Sequence, residues 1–216
     1  GRGVARIAAA TLEKNGVKVQ GATVAIQGFG NVGRYAALVC QELGMKVIAI
    51  SDVSGGIVDL KGIDIQAIFM HKTLEDMPAD ERIGSAEVLE VKCDVLIPAA
   101  LGGVINEGNM NRINAGFIIE GANQPITATA DKELRAQGVL IVPDILANSG
   151  GVMGSYFEWT QNIQEFSWPI DKFRHELDVR MEKAFGNVHE VSKKYSVDLR
   201  TAAFIVSVER VAQAFE

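Results

Sequence analysis

Five short apolar runs constrain this chain more than anything else in it: TVAI (23–26), KVIAI (46–50), CDVLIP (93–98), GFIIE (116–120) and VLIVP (139–143). Each is rich in valine or isoleucine and apolar without alternation. A strand with one wet face alternates polar and apolar residues; a strand covered on both faces does not. The runs therefore predict a parallel sheet sandwiched between helices. Helix-like stretches fall between them, at Asn31–Leu43, Ile63–Lys72, Glu107–Ile113 and Thr127–Ala136, the last opened by Thr127 with Asp131 in its first turn. This alternation predicts a doubly wound, mostly parallel α/β sheet with helices on both faces. Right-handed crossovers leave few topologies for it.

After Pro143 the pattern turns helical only. Ile170, Phe173, Leu177, Met181, Phe185, Val188 and Val191 recur every three or four residues, one apolar stripe on a long amphipathic helix. The last segment, DLRTAAFIVSVERVAQAFE, is apolar on more than one face as far as Val208, so it is expected to be buried or to pack on a surface outside this chain. The chain is read as one domain: an opening amphipathic helix over 1–20, sheet and crossover helices over 21–147, and C-terminal helices over 148–216. With 216 residues, 48% of them hydrophobic, it can bury a sizeable core. A net charge of −6 argues against a nucleic-acid or anionic-membrane surface. No apolar run approaches the roughly 20 residues needed to cross a bilayer. Cys40 and Cys93 stand alone in apolar segments, which fits core thiols in a reducing cytoplasm and no metal site.

The first run leads straight into glycines: TVAIQGFGNVG, Thr23 to Gly33, spaced G-x-G-x-x-G. Gly28 permits a tight turn out of the strand, Gly30 lets backbone approach a pyrophosphate, and Gly33 lets the helix pack on the sheet. The amides of the first helical turn, near Asn31 and Val32, then face the anion, aided by the helix dipole. Asp52 ends the next strand, about 20 residues on, where an acid accepts both ribose hydroxyls of an adenosine. A 2′-phosphate placed at 4 Å from that carboxylate is repelled by about 4 kcal/mol at an effective dielectric of 20. The following VSGG supplies no cation, and the next is Lys61. The loop predicts a dinucleotide site, and Asp52 favours NAD over NADP, with NADP still open.

With these motifs in view, the sequence resembles the C-terminal, nucleotide-binding domain of the glutamate dehydrogenase family, which includes leucine, phenylalanine and valine dehydrogenases. The likeness covers essentially the whole chain, through GRGV, VAIQGFGNVG, ISDVSGG, CDVLIPAALGGVI, EGANQPIT, VPDILANSGGVMGSYFEW and LRTAAFIVSVERV. The glycine loop is common to many dehydrogenases; the PDILANSGGV…SYFEW block is much more specific. The resemblance implies a Rossmann-like fold in which Gly28, Phe29, Gly30, Asn31, Val32 and Gly33 form the pyrophosphate turn. It implies further that Asp52 and Val53 sit at the adenosine ribose, Ala99 and Ala100 wall the cofactor, and Asn123 lies at the nicotinamide ribose. Asn148 would orient nicotinamide and substrate, and Ser155 would bind a carboxylate of glutamate. One departure stands out: the family usually has Gly-Pro-Thr after GAN, where this chain has Gln124, Pro125 and Ile126, which puts the local loop shape in question.

The family's reaction is the reversible oxidative deamination of L-glutamate to 2-oxoglutarate and ammonia, and the family places its catalytic lysine and aspartate in an N-terminal domain. The resemblance thus implies that this domain is missing here, that no catalytic residue lies in this chain, and that the intact protein is a homo-oligomer, a hexamer. Lys14, Lys61, Lys132 and Lys183 fall in polar, helix-surface or loop contexts, which suit a solvated charge and not a general base. His71, His175 and His189 have no partner pattern. Two other readings stand beside this one: the same domain of a branched-chain or aromatic amino-acid dehydrogenase, which Ser155 disfavours, and a stand-alone dinucleotide-binding module.

Overall fold

The computed structural model describes residues 1–215 except Lys72, Asp76 and Pro78. Seven strands form one sheet: β1 Thr23–Gln27, β2 Lys46–Asp52, β3 Gly55–Val58, β4 Glu81–Ile83, β5 Cys93–Pro98, β6 Ala115–Ile119 and β7 Leu140–Val142. Their order is β4-β3-β2-β1-β5-β6-β7. All five apolar runs are strands, and the pairs β2–β1, β1–β5, β5–β6 and β6–β7 are parallel. The antiparallel strands β3 and β4, which extend the sheet beyond β2, escaped the sequence reading. GGIV opens on two glycines and ERI has a single apolar residue, so neither carries a strand signal. Gly56 is fixed by packing instead, since a Cβ there would meet Val88 Cγ2 at 2.7 Å.

The eight α-helices among the described residues are α1 Arg2–Lys14, α2 Asn31–Glu42, α3 Ile65–Phe69, α4 Ala128–Ala136, α5 Asp144–Ala147, α6 Gly150–Gln164, α7 Ile170–Tyr195 and α8 Leu199–Gln213. One core, from Val4, Ile7 and Leu12 of α1 through Val24, Ile26 and Ile50 to Phe157, Met181 and Phe185, fills one face of the sheet. A second, built on Ala25, Leu96, Ile118, Val88, Ala130 and Leu134, fills the other. Two corrections concern helix limits. The opening helix stops at Lys14, short of residue 20, because Gly16 takes φ +72° and Val17 N–H turns back to Leu12 O at 2.9 Å. Glu107–Ile113 is no α-helix; it holds a single 3₁₀ turn at Met110–Arg112. The side chains of Asn106 and Asn109 accept from Gly108 N–H (2.9 Å) and Asn106 N–H (2.8 Å), competing with helical bonding. The helix expected at Ile63–Lys72 shortens to α3, capped by Asp64; Lys72 lies outside the described residues.

The helical tail packs as its stripe implies, with Leu177, Met181, Phe185 and Val188 buried. Asp178, 7% exposed, clamps α7 to α1: Arg2 donates two bonds to it (2.7 and 2.6 Å) and Arg6 approaches within 2.6 Å. α8 buries Leu199, Ala202 and Ala203 but leaves Phe204, Val208 and Val211 exposed.

Candidate functional site

Crossovers leave β1 and β5 in opposite directions, so a crevice opens where their carboxyl ends part. Gly28 sits there at φ +98°, a conformation that disfavours side chains, and a Cβ would meet the Ala99 carbonyl at 3.0 Å and Ala100 Cα at 3.1 Å. A Cβ on Gly33 would overlap the Gly28 carbonyl oxygen. Gly30, the N-cap of α2, differs: a Cβ there meets nothing within 4 Å. No side chain caps α2. The N–H groups of Asn31, Val32 and Gly33, in the first turn, have no acceptor in their own helix, and the space beside Gly30 is open.

Two open grooves meet over Ala99, Ala100 and Leu101. One, of about 500 Å³, runs past Gly28, Phe29, Gly30, Asp52 and Val53, and is closed by Ser85 and Val104. Asp52 ends β2 half-buried, and both its oxygens are already used: Ser54 N–H (2.7 Å) and hydroxyl donate to Oδ1, and Leu74 N–H (2.8 Å) donates to Oδ2. The carboxylate is thereby fixed at the groove wall, and Val53 beside it is 99% exposed. The other groove, of about 650 Å³, passes Val32, Gly121, Asn123, Asn148, Gly151, Val152 and Ser155. Asn148 Nδ2 donates to Asn123 Oδ1 at 2.7 Å, joining two residues 25 positions apart. Ser155 stands exposed on α6 at the mouth. All thirteen sequence-predicted site residues thus lie along this crevice or under its floor, Asn31 and Gly33 at the start of α2. Its described lining carries one carboxylate, Asp52, and no lysine, arginine or histidine.

Behind the asparagines lies a charged network that the sequence did not announce. Glu120, fully buried at the end of β6, accepts from Arg200 Nη2 at 2.6 Å and from Asp144 N–H at 2.7 Å. Arg200 also reaches Asp131 (3.2 Å) and Asp144 (3.3 Å). Burial pushes the Glu120 carboxyl above its ordinary value, and Arg200 pulls it only part of the way back. Asp144 Oδ2 in turn accepts Gln124 N–H at 2.8 Å, next to Asn123. Gln124 holds φ +45°, a left-handed conformation in which glycine is at ease and glutamine is not. The loop keeps that shape because Asp144 and the Gly103 N–H, which donates to Gln124 O, hold it on both sides. The one available clue was a glutamate closing an otherwise apolar strand run.

Comparison with known proteins places this geometry. The chain matches the model of the Glutamate/Leucine/Phenylalanine/Valine dehydrogenase family over residues 1–216. A glutamate dehydrogenase of Thermotoga maritima is 49% identical over 219 residues, covering 99% of this chain and 53% of that protein. The Leu-bound hetero-hexameric glutamate dehydrogenase from Thermus thermophilus superposes with a TM-score of 0.90 at 29% identity, over 98% of this chain and 51% of that one. The Peptoniphilus asaccharolyticus glutamate dehydrogenase gives 0.84 at 31%, over 99% and 51%. The chain spans about half the length of these relatives. A Rossmann-like sheet, a glycine turn at its switch point and a match over its full length agree: this chain belongs to the Glutamate/Leucine/Phenylalanine/Valine dehydrogenase family.

Proposed function

We propose that this chain is the cofactor-binding half of a glutamate dehydrogenase, taking NAD in the β1–β5 crevice for the reversible oxidative deamination of L-glutamate to 2-oxoglutarate and ammonia. The observation that carries this is the continuous crevice from Asp52, over the open space above Gly30, to the bonded Asn123–Asn148 pair. A dinucleotide fits that sequence of groups. The amides of Asn31 and Val32, together with the α2 dipole, would hold the pyrophosphate. Asp52, with lone pairs beyond those given to Ser54 and Leu74, would accept from the adenosine ribose. Ala99 and Ala100 would wall the cofactor.

When bound, the nicotinamide supplies the hydride acceptor. The residues of this chain orient and do not exchange protons. Asn123 would hold the nicotinamide ribose, and Asn148, fixed by its bond to Asn123, would orient the carboxamide and substrate. Ser155 would donate to a substrate carboxylate, which favours glutamate over an apolar amino acid. The acid–base groups would come from the remaining half of the protein, which the chain would meet across the exposed mouth of the crevice. Assembly as a hexamer and a cytoplasmic location belong to this same reading; among the described residues no helix is long and apolar enough to cross a membrane.

Side-by-side calorimetric titration with NAD and NADP tests the cofactor assignment. NAD is expected to bind more tightly, because a 2′-phosphate would meet Asp52 with no cation among the described residues lining that groove. Tighter binding of NADP would overturn it.

A further inference from the structure

Resting on the dinucleotide reading, a residue outside the crevice lining can be given a role at its nicotinamide end. The asparagine pair there comes from two elements: Asn123 lies in the loop after β6, and Asn148 ends the single turn of α5. Their 2.7 Å bond requires loop and turn to keep one separation. Asp144, the first residue of α5, is bonded to both sides. Its carbonyl accepts Asn148 N–H at 3.1 Å, and its Oδ2 accepts Gln124 N–H at 2.8 Å. Its own N–H donates to Oε2 of the buried Glu120 at 2.7 Å. Oδ1 accepts from Ile145 N–H (2.8 Å) and Arg200 Nη1 (3.3 Å). One residue thus ties the Asn123 loop and the Asn148 turn to the end of a buried strand.

The bond to Gln124 works against the preference of the chain. At φ +45° Gln124 is left-handed, and the proline at 125 favours extended backbone in the residue before it. Once its N–H is released, residue 124 is free to swing to the extended region, and the peptide joining it to Asn123 turns with it. The other backbone bond of Gln124, from Gly103 N–H to its carbonyl at 2.9 Å, lies on the far side of its Cα. We propose that Asp144 is a positioning residue for the nicotinamide half of the cofactor: by holding Gln124 left-handed, it keeps Asn123 aimed at Asn148 and at the second ribose. The adenosine half is built from other parts. None of Glu120, Asn123, Gln124, Asp144, Asn148 and Arg200 lines the groove past Gly28, Gly30 and Asp52.

Calorimetric titration of the chain with NADH and with ADP separates the two halves, since ADP carries the adenosine and the diphosphate but neither the second ribose nor the nicotinamide. Two variants break the bond from opposite sides. Asp144→Ala removes the acceptor, while Arg200 keeps Glu120 and Asp131. Gln124→Pro removes the N–H and sets φ near about −65°, with every charged group left in place. Wild type is expected to bind NADH more tightly than ADP. Both variants are expected to bind NADH about tenfold more weakly than wild type and ADP within about twofold of it. A loss of folding would weaken both ligands alike, so retained ADP binding marks a folded variant; where Asp144→Ala does not fold, Gln124→Pro decides alone. A folded variant that binds NADH as wild type does overturns the inference, and so does an equal weakening of NADH and ADP in Gln124→Pro. Equal wild-type affinity for NADH and ADP overturns it too, while leaving the adenosine half of the site intact. Failure of wild type to bind either ligand would remove the dinucleotide reading, and the inference with it.

Discussion

Position 33 has no room for a methyl group and position 30 has nothing near one, although both are glycines of one motif. The motif thus separates into a packing glycine and a ligand-facing glycine. Gly33→Ala is expected to lower stability by about 1–3 kcal/mol, because the Gly28 carbonyl must move. Gly30→Ala should stay within about 1 kcal/mol of wild type, the difference between these residues at an N-cap. Thermal melts of the two variants check the contrast, with about 2–4 °C per kcal/mol for a chain of this size. A second residue-scale expectation concerns Gln124 at φ +45°. Gln124→Gly should be neutral or stabilising by up to about 1 kcal/mol, whereas β-branched Gln124→Val should lose more than that; chemical denaturation of both decides it. The glycine spacing and Asp52 were legible in the sequence because their reasons are local. The bond between Asn148 and Asn123 was not, since it joins residues 25 apart through the meeting of β6 and α5.

At the scale of elements, α8 is held by its cap and by one arginine. Asp198 accepts from Thr201 N–H (3.0 Å) and hydroxyl (2.9 Å) and pairs with Arg135 (3.0 Å). Burial alone would push its carboxyl up; the Thr201 bonds and the Arg135 charge outweigh that and hold it below the ordinary value of 3.8. A lowered folded pKa stabilises above the unfolded value and is lost as pH falls through the folded one. Asp198→Ala should therefore cost about 1 kcal/mol at pH 7, and the gap from wild type should close below pH 3.8. Arg200→Met leaves Glu120 buried without its counter-charge, a loss of about 3 kcal/mol at neutral pH. Glu120 has a raised pKa, so the folded state favours its proton, and the penalty of the charged form is relieved as pH falls. The Arg200→Met deficit should shrink between pH 7 and pH 5 in urea titrations; a constant deficit would assign Arg200 a packing role only. The parallel strands were readable because burial on both faces writes itself into short apolar runs. β3, β4 and the turn at Met110–Arg112 were not: Gly56 packs against Val88 in β3, β4 has a single apolar residue, and asparagine side chains on backbone set the turn, none of which follows a period.

The whole molecule leaves two apolar faces open. Val152, Tyr156, Trp159 and Ile163 stand exposed along α6 from the mouth of the crevice, and Phe204, Val208 and Val211 along α8. The sequence showed that the last helix is apolar on more than one side, but not which side the sheet would take, since that depends on the seat Arg200 gives it. Contiguous exposed apolar surface of this kind marks contact sites. Sedimentation velocity of the chain is expected to show concentration-dependent association, reduced by pairing Trp159→Glu with Val208→Glu. The central claim is narrower: the open space over Gly30 is where a dinucleotide sits. Its most direct test is an NADH fluorescence titration of wild type beside Gly30→Val, whose side chain enters that space and touches no protein atom near its Cβ. The account predicts saturable binding by wild type and at least about a hundredfold weaker binding by a folded Gly30→Val, a loss of about 2.7 kcal/mol. Equal binding by the two would contradict it.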